Sequence, residues 1–308
     1  MKVFQNYIVT KEQVGLTVEM LLKQELHYSG RKLQKLTRLK GLFLNRRPVF
    51  LQKKVKENDT LRVLLSCDDD YGVTPESSDI SICYEDDQLF VLNKPPRQLV
   101  HPTSWTTIGT LSNYLAGHLQ KQGIIAAIRP VHRLDRDTSG CILFAKNDQA
   151  QHQLELQLKS GTLKRIYTVL VEGIMEPASG IIDAPVGEHP DRPNRRIVSE
   201  QGERAVTHYK TLETMPGGTS ILEVQLETGR THQIRVHFAH LGHPVLGDVM
   251  YGNPSVIISR QALHASAITF HELKSGKEIT VTAPLPTDMA EAIKHFRTNA
   301  QPNKKATP

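Results

Sequence analysis

The spacing of apolar residues in the first part of the chain predicts two helices followed by short strands. Apolar side chains recur at helical spacing in two groups, namely Val18, Leu21, Leu22 and Leu26, and then Leu33, Leu36 and Leu39. Ser29-Gly30 precedes the second group, and serine is a favoured N-cap residue. Strand-like pieces follow at residues 42–44, 49–51 and 61–65. The pattern predicts a small α/β domain over residues 1–66.

The pattern changes after this region, and the rest of the chain is rich in predicted strands. Residues 67–79 contain aspartate, glycine, proline and serine, which is typical of a linker or an extended crossing segment. Strands are then predicted at 89–92, 131–134, 141–146, 166–171 and 221–226, and helices at 111–122, 148–159 and 288–297. Residues 234–241 fit either a strand or a helix. Many strands with intervening helices, and no internal repeat, predict an α+β fold.

The composition is that of a globular protein with a basic balance. Of the 308 residues, 39% are hydrophobic and 23% are charged, and the formal net charge is +6. A positive balance favours a polyanionic partner without identifying one. Cys67, Cys83 and Cys141 are scattered singly, which predicts a reducing compartment. Because the first residues lack the apolar core of a signal peptide and no apolar run approaches the ~20 residues that span a bilayer, we expect a soluble, cytoplasmic protein.

Basic residues are concentrated in the predicted N-terminal domain. Between Arg31 and Lys56 there are ten lysines or arginines and no acidic residue. A basic run is usually an ordinary solvated surface, but helical order and the lack of acid favour phosphate contact here. Arg31, Lys35 and Arg38 share one face of the predicted second helix because they lie at positions i, i+4 and i+7. The candidate phosphate-binding residues are Arg31, Lys35, Arg38, Arg46 and Arg47.

The densest cluster of polar residues lies between two predicted strands, in His132-Arg133-Leu134-Asp135-Arg136-Asp137-Thr138-Ser139-Gly140. Arg133 and Arg136 flank Asp135, and the last three residues are typical of a turn. Nearby cations favour the ionised form of a carboxylate, and an ionised carboxylate presented on a loop can act as a nucleophile. A salt-bridged turn would be the simpler interpretation of an isolated aspartate between two arginines.

Two further segments carry side chains whose roles the local pattern leaves open. Tyr167 opens a strand in Lys164-Arg165-Ile166-Tyr167, and core packing with the hydroxyl at the surface is the commoner role of such a tyrosine. Arg235 lies in Gly229-Arg230-Thr231-His232-Gln233-Ile234-Arg235-Val236-His237. Its guanidinium can grip a carboxylate by two parallel bonds, although a structural ion pair would give the same pattern.

These segments together resemble one enzyme family. Residues 132–140 are similar to the HRLDxxTSG motif of RNA pseudouridine synthases of the RluA type, and residues 229–237 match the GRTHQIRVH element of that family. Asn93-Lys94-Pro95 and Val100-His101-Pro102 resemble its NKP…VHP loop, with Pro96-Arg97-Gln98-Leu99 in place of the usual glycine-containing stretch. The basic N-terminal unit is similar to the alpha-L RNA-binding module of a ribosomal protein and several RNA-modifying enzymes.

The resemblance implies a domain organisation. It consists of an alpha-L RNA-binding domain at 1–66, a linker at 67–79, a catalytic domain at 80–297 and a flexible tail at 298–308. The implied catalytic domain is a mixed, mainly antiparallel sheet with flanking helices and a central cleft. The expected fold class is therefore α+β for the catalytic domain, with a small α/β domain at the N-terminus.

The resemblance also implies roles for individual residues. Asp135 is the catalytic nucleophile, Arg235 is its basic partner, and Tyr167 packs on the uracil. Arg133 is expected to fill the stack that a flipped uridine leaves, with His132 beside it in contact with RNA. The reaction is an isomerisation that needs no cofactor and no metal. The implied partner is structured RNA, with ribosomal RNA expected and transfer RNA as the alternative, and the protein is expected to be a monomer.

Two other functions stay open at this point. A non-catalytic RNA-binding or assembly factor would share the basic N-terminal unit, although Asp135, Tyr167 and Arg235 are all present. A carboxylate-dependent hydrolase of glycosidic bonds would need a second carboxylate, for which Asp137 is the nearest candidate. Free nucleobase among the products would favour the hydrolase. A metal site is disfavoured, because acidic or cysteine ligands are not spaced to complete one around the histidines at 232, 237, 240 and 243.

Overall fold

The structure, a computed structural model, describes residues 3–66 and 70–298, except for the side chains of Val3, Arg31, Leu65 and Ser66. Residues 67–69 of the predicted linker, the predicted tail from residue 299 onwards and the side chain of Arg31 therefore lie outside the described residues. The helices are α1 (Val18–Met20), α2 (Gly30–Arg38), α3 (Leu111–Lys121), α4 (Asp148–Ser160), α5 (Gln233–His240) and α6 (Thr287–Thr298), with a 3₁₀ turn at Lys11–Gln13 and a π-helical turn at Leu21–Glu25. The strands are β1 (Val3–Ile8), β2 (Leu42–Leu44), β3 (Arg47–Pro48), β4 (Thr60–Ser66), β5 (Ser81–Glu85), β6 (Leu89–Lys94), β7 (Arg129–Pro130), β8 (Ser139–Ala145), β9 (Lys164–Glu172), β10 (Ser179–Asp183), β11 (Val186–His189), β12 (Arg192–Val198), β13 (Val206–Met215), β14 (Thr219–Leu226), β15 (Leu263–His271) and β16 (Glu278–Thr282).

The strands form two sheets and a separate hairpin. The N-terminal sheet has the order β1-β4-β2-β3, and the hairpin is β11-β12. The large sheet has ten strands along the path β10-β13-β14-β9-β15-β8-β6-β5, with β16 paired to β15 and β7 to β8. Among the described pairings, β15–β8 is parallel and the others are antiparallel. The predicted α+β class with a mainly antiparallel sheet is confirmed.

Apolar side chains fill both faces of the large sheet. In β6, Phe90 and Leu92 belong to a core shared with α3, α5 and α6, whereas Leu89 and Val91 belong to a second core shared with α4. All four side chains are at most 2% exposed. The unbroken apolar run at 89–92 is therefore a strand that is covered by helices on both faces, and alternation along it divides the side chains between them.

A glycine lets the loop that carries Asp135 approach the middle of the sheet. Gly140 has a φ of +109°, and a Cβ built there would lie 2.2 Å from the carbonyl oxygen of Ala265 in β15. Ser139 Oγ lies 2.9 Å from His264 Nδ1 on the same strand. The short parallel pairing of β8 with β15 thus depends on a residue without a side chain, and it fixes the end of the loop.

The prediction of a strand at 131–134 is wrong. Strand β7 ends at Pro130, and only the Val131 N–H extends the ladder, by donating to Leu143 O at 2.9 Å. At the next position a side chain replaces the backbone, because His132 Nε2 accepts from the Leu143 N–H at 3.3 Å. The chain can therefore leave the sheet at His132 and form the loop that presents Asp135.

The helices largely follow the predicted periodicity. Ser29 caps α2, because its side chain accepts from the Lys32 N–H at 3.2 Å. The alternatives at 234–241 are resolved in favour of a helix, α5. The strand predicted at 89–92 continues to Lys94. No helix in the described ranges is long and apolar enough to cross a membrane.

The predicted linker is partly packed against the large sheet's helices. The Tyr71 carbonyl accepts from Ile128 N–H at 2.9 Å, and Asn113 in α3 donates its side-chain N–H to Thr74 O at 2.8 Å. The carbonyl oxygen of Glu76 approaches Gly117 so closely that a Cβ there would lie 2.0 Å away. Residues 71–76 thus run along α3 as an extended crossing segment.

The N-terminal sheet and its helices contact the first turn of α4. Tyr7 and Tyr28 donate their hydroxyls to Gln149 Oε1 at 3.2 and 2.7 Å. Next to it, Lys32 and Lys35 lie 3.2 and 3.0 Å from Asp148 Oδ2. On the other carboxylate oxygen, Arg129 Nε donates to Asp148 Oδ1 at 2.8 Å. This cluster joins the basic helix α2 to the large sheet.

The pKa of Asp148 shows how strongly these cations act. Burial alone would raise the pKa, but Lys32, Arg129 and Lys35 outweigh burial and lower it to about 2. The ordinary value is 3.8. The contact therefore stabilises the fold above about pH 4, and this contribution is lost as the pH falls from about 4 towards 2.

We predict that Asp148→Asn lowers the free energy of unfolding by about 2 kcal/mol at pH 7. The difference from the unsubstituted protein should disappear as the pH is lowered towards 2, because protonation removes the same charge. Urea unfolding at several pH values measures both effects. Asp79→Asn, at an exposed position, is the matched control. Equal unfolding curves for Asp148→Asn and Asp79→Asn at pH 7 would contradict the prediction.

Candidate active site

A cleft opens beside the loop that carries Asp135. Its cavity volume is about 510 Å³. Its walls come from residues 131–135 and Thr138, from β9 and from residues 226–235. Three segments that stand apart in the sequence therefore meet at one cavity, and they bring together the three predicted catalytic residues, Asp135, Tyr167 and Arg235.

Arg235 bridges two carboxylates at the base of this site. Its Nη1 lies 3.2 Å from Asp135 Oδ2, whereas its Nε and Nη2 donate to Asp248 at 2.6 and 2.8 Å. The pair of parallel hydrogen bonds that Arg235 was expected to make with Asp135 is made with Asp248 instead, and Asp135 receives a single hydrogen bond. Burial opposes the charge of Arg235, but the two carboxylates outweigh burial and raise the pKa of the guanidinium. Arg235 is therefore a cation beside Asp135.

Asp248 is fixed from several directions. Its side chain is fully buried, and its Oδ1 also accepts from the N–H groups of Met250 and Tyr251 at 3.0 and 3.2 Å. A buried carboxylate is tolerated only with such compensation. Because the backbone holds Asp248 and Asp248 holds the guanidinium fork, the direction of the remaining Arg235 N–H towards Asp135 is also fixed.

Lys94 ties a second loop to the loop of Asp135. It is 0% exposed, and its Nζ donates to two carbonyl oxygens of the 95–98 loop at 2.8 Å and to Arg136 O at 2.9 Å. Burial lowers the pKa of Lys94 to about 7, against the opposite effect of Asp137 and Asp135. Its three N–H groups are all used on backbone oxygens, so Lys94 holds the loop from within.

In the stretch 96–99, where the family usually has a glycine, an arginine adopts a backbone conformation that glycine favours. Arg97 has a φ of +64°, in the left-handed region. Its Nη2 donates to Ser259 Oγ at 2.8 Å. This side-chain contact, together with the Lys94 bonds, holds a backbone conformation that glycine would adopt without help.

Tyr167 and Arg165 form part of the cleft wall in β9. Tyr167 is 4% exposed, and burial raises its pKa, with Arg165 opposing and Asp135 reinforcing the rise. Its hydroxyl is therefore protonated at neutral pH. Arg165 is also buried, and its Nη2 donates to Thr228 O at 3.0 Å, while its Nε has no partner among the described residues. It adds a cation to the wall of the cavity.

His132 and its neighbour Arg133 have different surroundings and different charges. Burial lowers the pKa of His132 to about 3, and the charge of Arg165 acts in the same direction. His132 is therefore neutral and offers no charge to a phosphate, and its Nε2 is used on the Leu143 N–H. Arg133 is exposed and lines the cleft.

The candidate phosphate-binding residues of the N-terminal domain also divide into two groups. Lys35 is directed to Asp148, so its charge serves the contact with α4. Arg38, Arg46 and Arg47 are exposed to solvent. The three arginines are therefore the candidates that keep their charge available for a polyanion, and Arg31 lies outside the described side chains.

The histidines of the α5 region have separate partners. His237 Nδ1 lies 2.9 Å from Thr207 Oγ1, and His243 Nδ1 lies 2.9 Å from Glu172 O. His232 Nδ1 lies 2.8 Å from the hydroxyl of Tyr251. Three of the four histidines are thus engaged at different places.

Sequence reasoning missed the residues that fix the site, namely Lys94, Arg165, Asp248 and Tyr251. Asp248 follows Arg235 by 13 residues, beyond any helical or strand periodicity. The available signal in the sequence is that Asp248 is the only carboxylate in residues 242–252. Their roles depend on contacts between distant segments, which local patterns do not contain.

Comparison with known proteins agrees with these motifs. The sequence profile described as RNA pseudouridylate synthase matches residues 88–240. Bacillus subtilis uncharacterized RNA pseudouridine synthase YhcT is 38% identical over 290 residues, which cover 94% of this chain and 96% of that protein. Nitrosomonas europaea ribosomal large subunit pseudouridine synthase D is 37% identical, over 92% of this chain and 85% of the relative.

A solved structure supports the fold. Human RNA pseudouridylate synthase domain containing 4 superposes with a TM-score of 0.59 at 22% identity, over 70% of this chain and 93% of that one. The likeness shows a shared fold, and the sequence identities to the bacterial relatives show kinship over nearly the whole chain. The resemblance of the motifs is therefore confirmed, and the chain belongs to the RNA pseudouridine synthase family.

Proposed function

We propose that this protein isomerises specific uridines of ribosomal RNA to pseudouridine, with Asp135 as the nucleophile. The observation that carries the proposal is the contact of Asp135 Oδ2 with Arg235 Nη1, at 3.2 Å, on the wall of the 510 Å³ cleft. The reaction must break the bond between the ribose and nitrogen 1 of uracil, turn the uracil while it stays bound, and join carbon 5 to the ribose. Carbon 5 loses a proton in this exchange and nitrogen 1 gains one. It requires a carboxylate that is ionised, oriented and accessible.

The two oxygens of Asp135 have different surroundings. Oδ2 faces the guanidinium of Arg235 and the Nε2 of His232, at 3.2 and 3.9 Å. Oδ1 has no hydrogen-bond or ion-pair partner among the described side chains. We assign Oδ2 to holding the carboxylate in place and Oδ1 to the reaction with the nucleotide.

The other cleft residues suit a flipped uridine. A uracil within a helix is unreachable, so the nucleotide must leave the stack at a cost of a few kcal/mol. We assign Tyr167 to packing on the uracil, and its protonated hydroxyl can donate a hydrogen bond or pass a proton on. Arg133 is exposed at the cleft, where its flat guanidinium can occupy the vacated stack.

The charges in the cleft disfavour the hydrolase alternative. A glycosidase needs a second carboxyl group with a raised pKa as general acid. Besides Asp135, Glu227 is the carboxylate among the described residues that line the cleft. His208 and Arg204 lower its pKa, so it is ionised. Asp137 is paired with Arg136 at 3.5 Å and does not line the cavity.

The choice of RNA rests on the relatives and on the N-terminal domain. The relatives include proteins from several bacteria that are named ribosomal large subunit pseudouridine synthase D. The exposed Arg38, Arg46 and Arg47 give this chain a second basic surface outside the cleft. We therefore propose ribosomal RNA as substrate, with transfer RNA as the alternative, and a cytoplasmic monomer as the acting form, since one chain supplies all the proposed catalytic residues.

We predict that Asp135→Asn abolishes pseudouridine formation in cells and leaves RNA affinity nearly unchanged. Asparagine keeps the shape of the side chain but is not a nucleophile. The measurement is a pseudouridine map of ribosomal and transfer RNA from cells that lack the protein and carry either the unsubstituted or the substituted gene. Asp137→Asn is the matched control and should restore the sites. Sites restored by Asp135→Asn would exclude Asp135 as the nucleophile.

Arg235→Lys should lower kcat by about 100-fold, the order expected for a reacting group displaced by about 1 Å. Lysine keeps the charge but cannot bond both oxygens of Asp248 and also contact Asp135. KM for RNA should change little, because Arg235 is buried. Steady-state kinetics on a transcript that contains the target uridine test this. An unchanged kcat would show that Asp135 does not depend on Arg235.

Replacing Arg38, Arg46 and Arg47 together by alanine should weaken RNA binding and flatten its salt dependence. Each lost phosphate contact reduces the slope by roughly 0.7 to 0.9 in log units. RNA affinity over a range of salt concentrations measures the slope. Replacement of three exposed lysines elsewhere, Lys274, Lys277 and Lys294, by alanine is the control for net charge. If the triple variant behaves like that control, the three arginines form an ordinary solvated surface.

A further inference from the structure

Two hydrogen bonds and one longer polar contact lead from the β11-β12 hairpin to Asp135. The backbone N–H of Arg196 donates to Tyr251 Oη at 2.8 Å, and this oxygen lies 2.8 Å from His232 Nδ1. On the other side of the ring, His232 Nε2 lies 3.9 Å from Asp135 Oδ2. His232 immediately precedes α5 with a φ of +59°, a left-handed conformation that non-glycine residues adopt rarely and that is common at functional sites.

The hydrogen-bond roles in these contacts follow from the number of protons. A tyrosine hydroxyl donates one hydrogen bond and can accept others. The Arg196 N–H already donates to Tyr251 Oη, and His232 Nδ1 is the one acceptor within reach of the hydroxyl among the described residues, so the hydroxyl proton has a partner only when it is directed to Nδ1. Nδ1 is then an acceptor, and a neutral imidazole carries its proton on the other nitrogen, Nε2. The nitrogen that faces Asp135 is thus an N–H donor.

The surroundings of His232 keep the ring neutral. Burial lowers its pKa, and the charges of Arg235 and Arg196 act in the same direction. Asp135 and Asp248 oppose them but do not reverse the shift. A neutral ring keeps one nitrogen as an acceptor for the Tyr251 hydroxyl, whereas a charged ring would donate from both nitrogens and could not accept from Tyr251.

We propose that His232 is a positioning residue that presents its Nε2–H to Asp135 Oδ2, and that Tyr251 fixes this tautomer. The proposal rests on the proposed function, since it assigns both residues to the uridine-isomerising site. The imidazole N–H and Arg235 Nη1 approach the same oxygen, which leaves Oδ1 directed to the nucleotide. Tyr251 also supports both groups by packing, with its ring edge-on to His232 and 5.0 Å from the guanidinium carbon of Arg235.

The tautomer itself can be measured without any assay of activity. Full-length protein labelled with ¹⁵N-histidine is studied by NMR at neutral pH, and the His232 signals are assigned by their loss in His232→Gln. We expect Nε2 to be protonated and Nδ1 to be an acceptor. In Tyr251→Phe, which keeps the ring and removes the hydroxyl, we expect the tautomers to mix. Protonated Nδ1 in the unsubstituted protein, or no change in Tyr251→Phe, would overturn the proposal.

Single-turnover kinetics test the consequence for Asp135. Tyr251→Phe should slow the chemical step by about tenfold, the order found for partners that orient a reacting group, with the Kd for RNA unchanged. His232→Gln, which keeps an N–H donor near the position of Nε2, should retain more activity than His232→Ala. Adding Tyr251→Phe to His232→Ala should cause no further loss, because the tyrosine acts through the histidine.

A matched control separates these effects from the loss of any tyrosine hydroxyl. Tyr84 lies in β5, away from the cleft, and its hydroxyl donates to Asp86 at 3.1 Å. Tyr84→Phe removes this hydroxyl and should keep the full rate. Additive losses in the double variant, or equal rates for His232→Gln and His232→Ala, would overturn the positioning role. If the unsubstituted protein formed no pseudouridine, the proposed function would fail, while the NMR result would still decide the tautomer.

Discussion

The site depends on one buried guanidinium that is shared between two carboxylates. Asp248 takes the fork of Arg235 in the interior, and the remaining Nη1 reaches Asp135 in the cleft. Removing one member of such a buried pair typically costs about 3–5 kcal/mol, because a charge is left without compensation. The buried pair with Asp248 therefore fixes the orientation of Arg235. Asp135, which lies on a loop, contacts a guanidinium that is already held in place.

The rest of the architecture delivers the loop of Asp135 to that partner. At its start the loop leaves the sheet where His132 takes over a backbone bond, and at its end Gly140 allows close contact with β15. Buried Lys94 binds the loop from the side through Arg136 O. The contacts of Gly140 and Lys94 join segments far apart in the sequence. The large sheet thus acts as a frame on which short motifs, each polar and locally irregular, converge at one cavity.

Local patterns in the sequence predict much of the fold and the reacting residues. The capped helix α2, the strand at 89–92 and the helix at 148–159 follow from periodicity and capping, and the motif around Asp135 identifies the family. The support of the site does not follow, because Asp248, Lys94 and Tyr251 act across the fold. Local reasoning also failed at 131–134, where a histidine side chain replaces a backbone partner, and it gave no indication that Lys35 pairs with Asp148.

If the carboxylate held by Arg235 isomerises uridine, the base is never released during the reaction. Mass spectrometry of the nucleosides and free bases from ribosomal RNA transcripts, incubated with excess purified protein for a single turnover, tests this directly. We expect a new nucleoside with the mass of uridine and the retention of pseudouridine, and no free uracil. Free uracil with an abasic site in the RNA, or an unchanged nucleoside profile for both ribosomal and transfer RNA, would contradict this expectation.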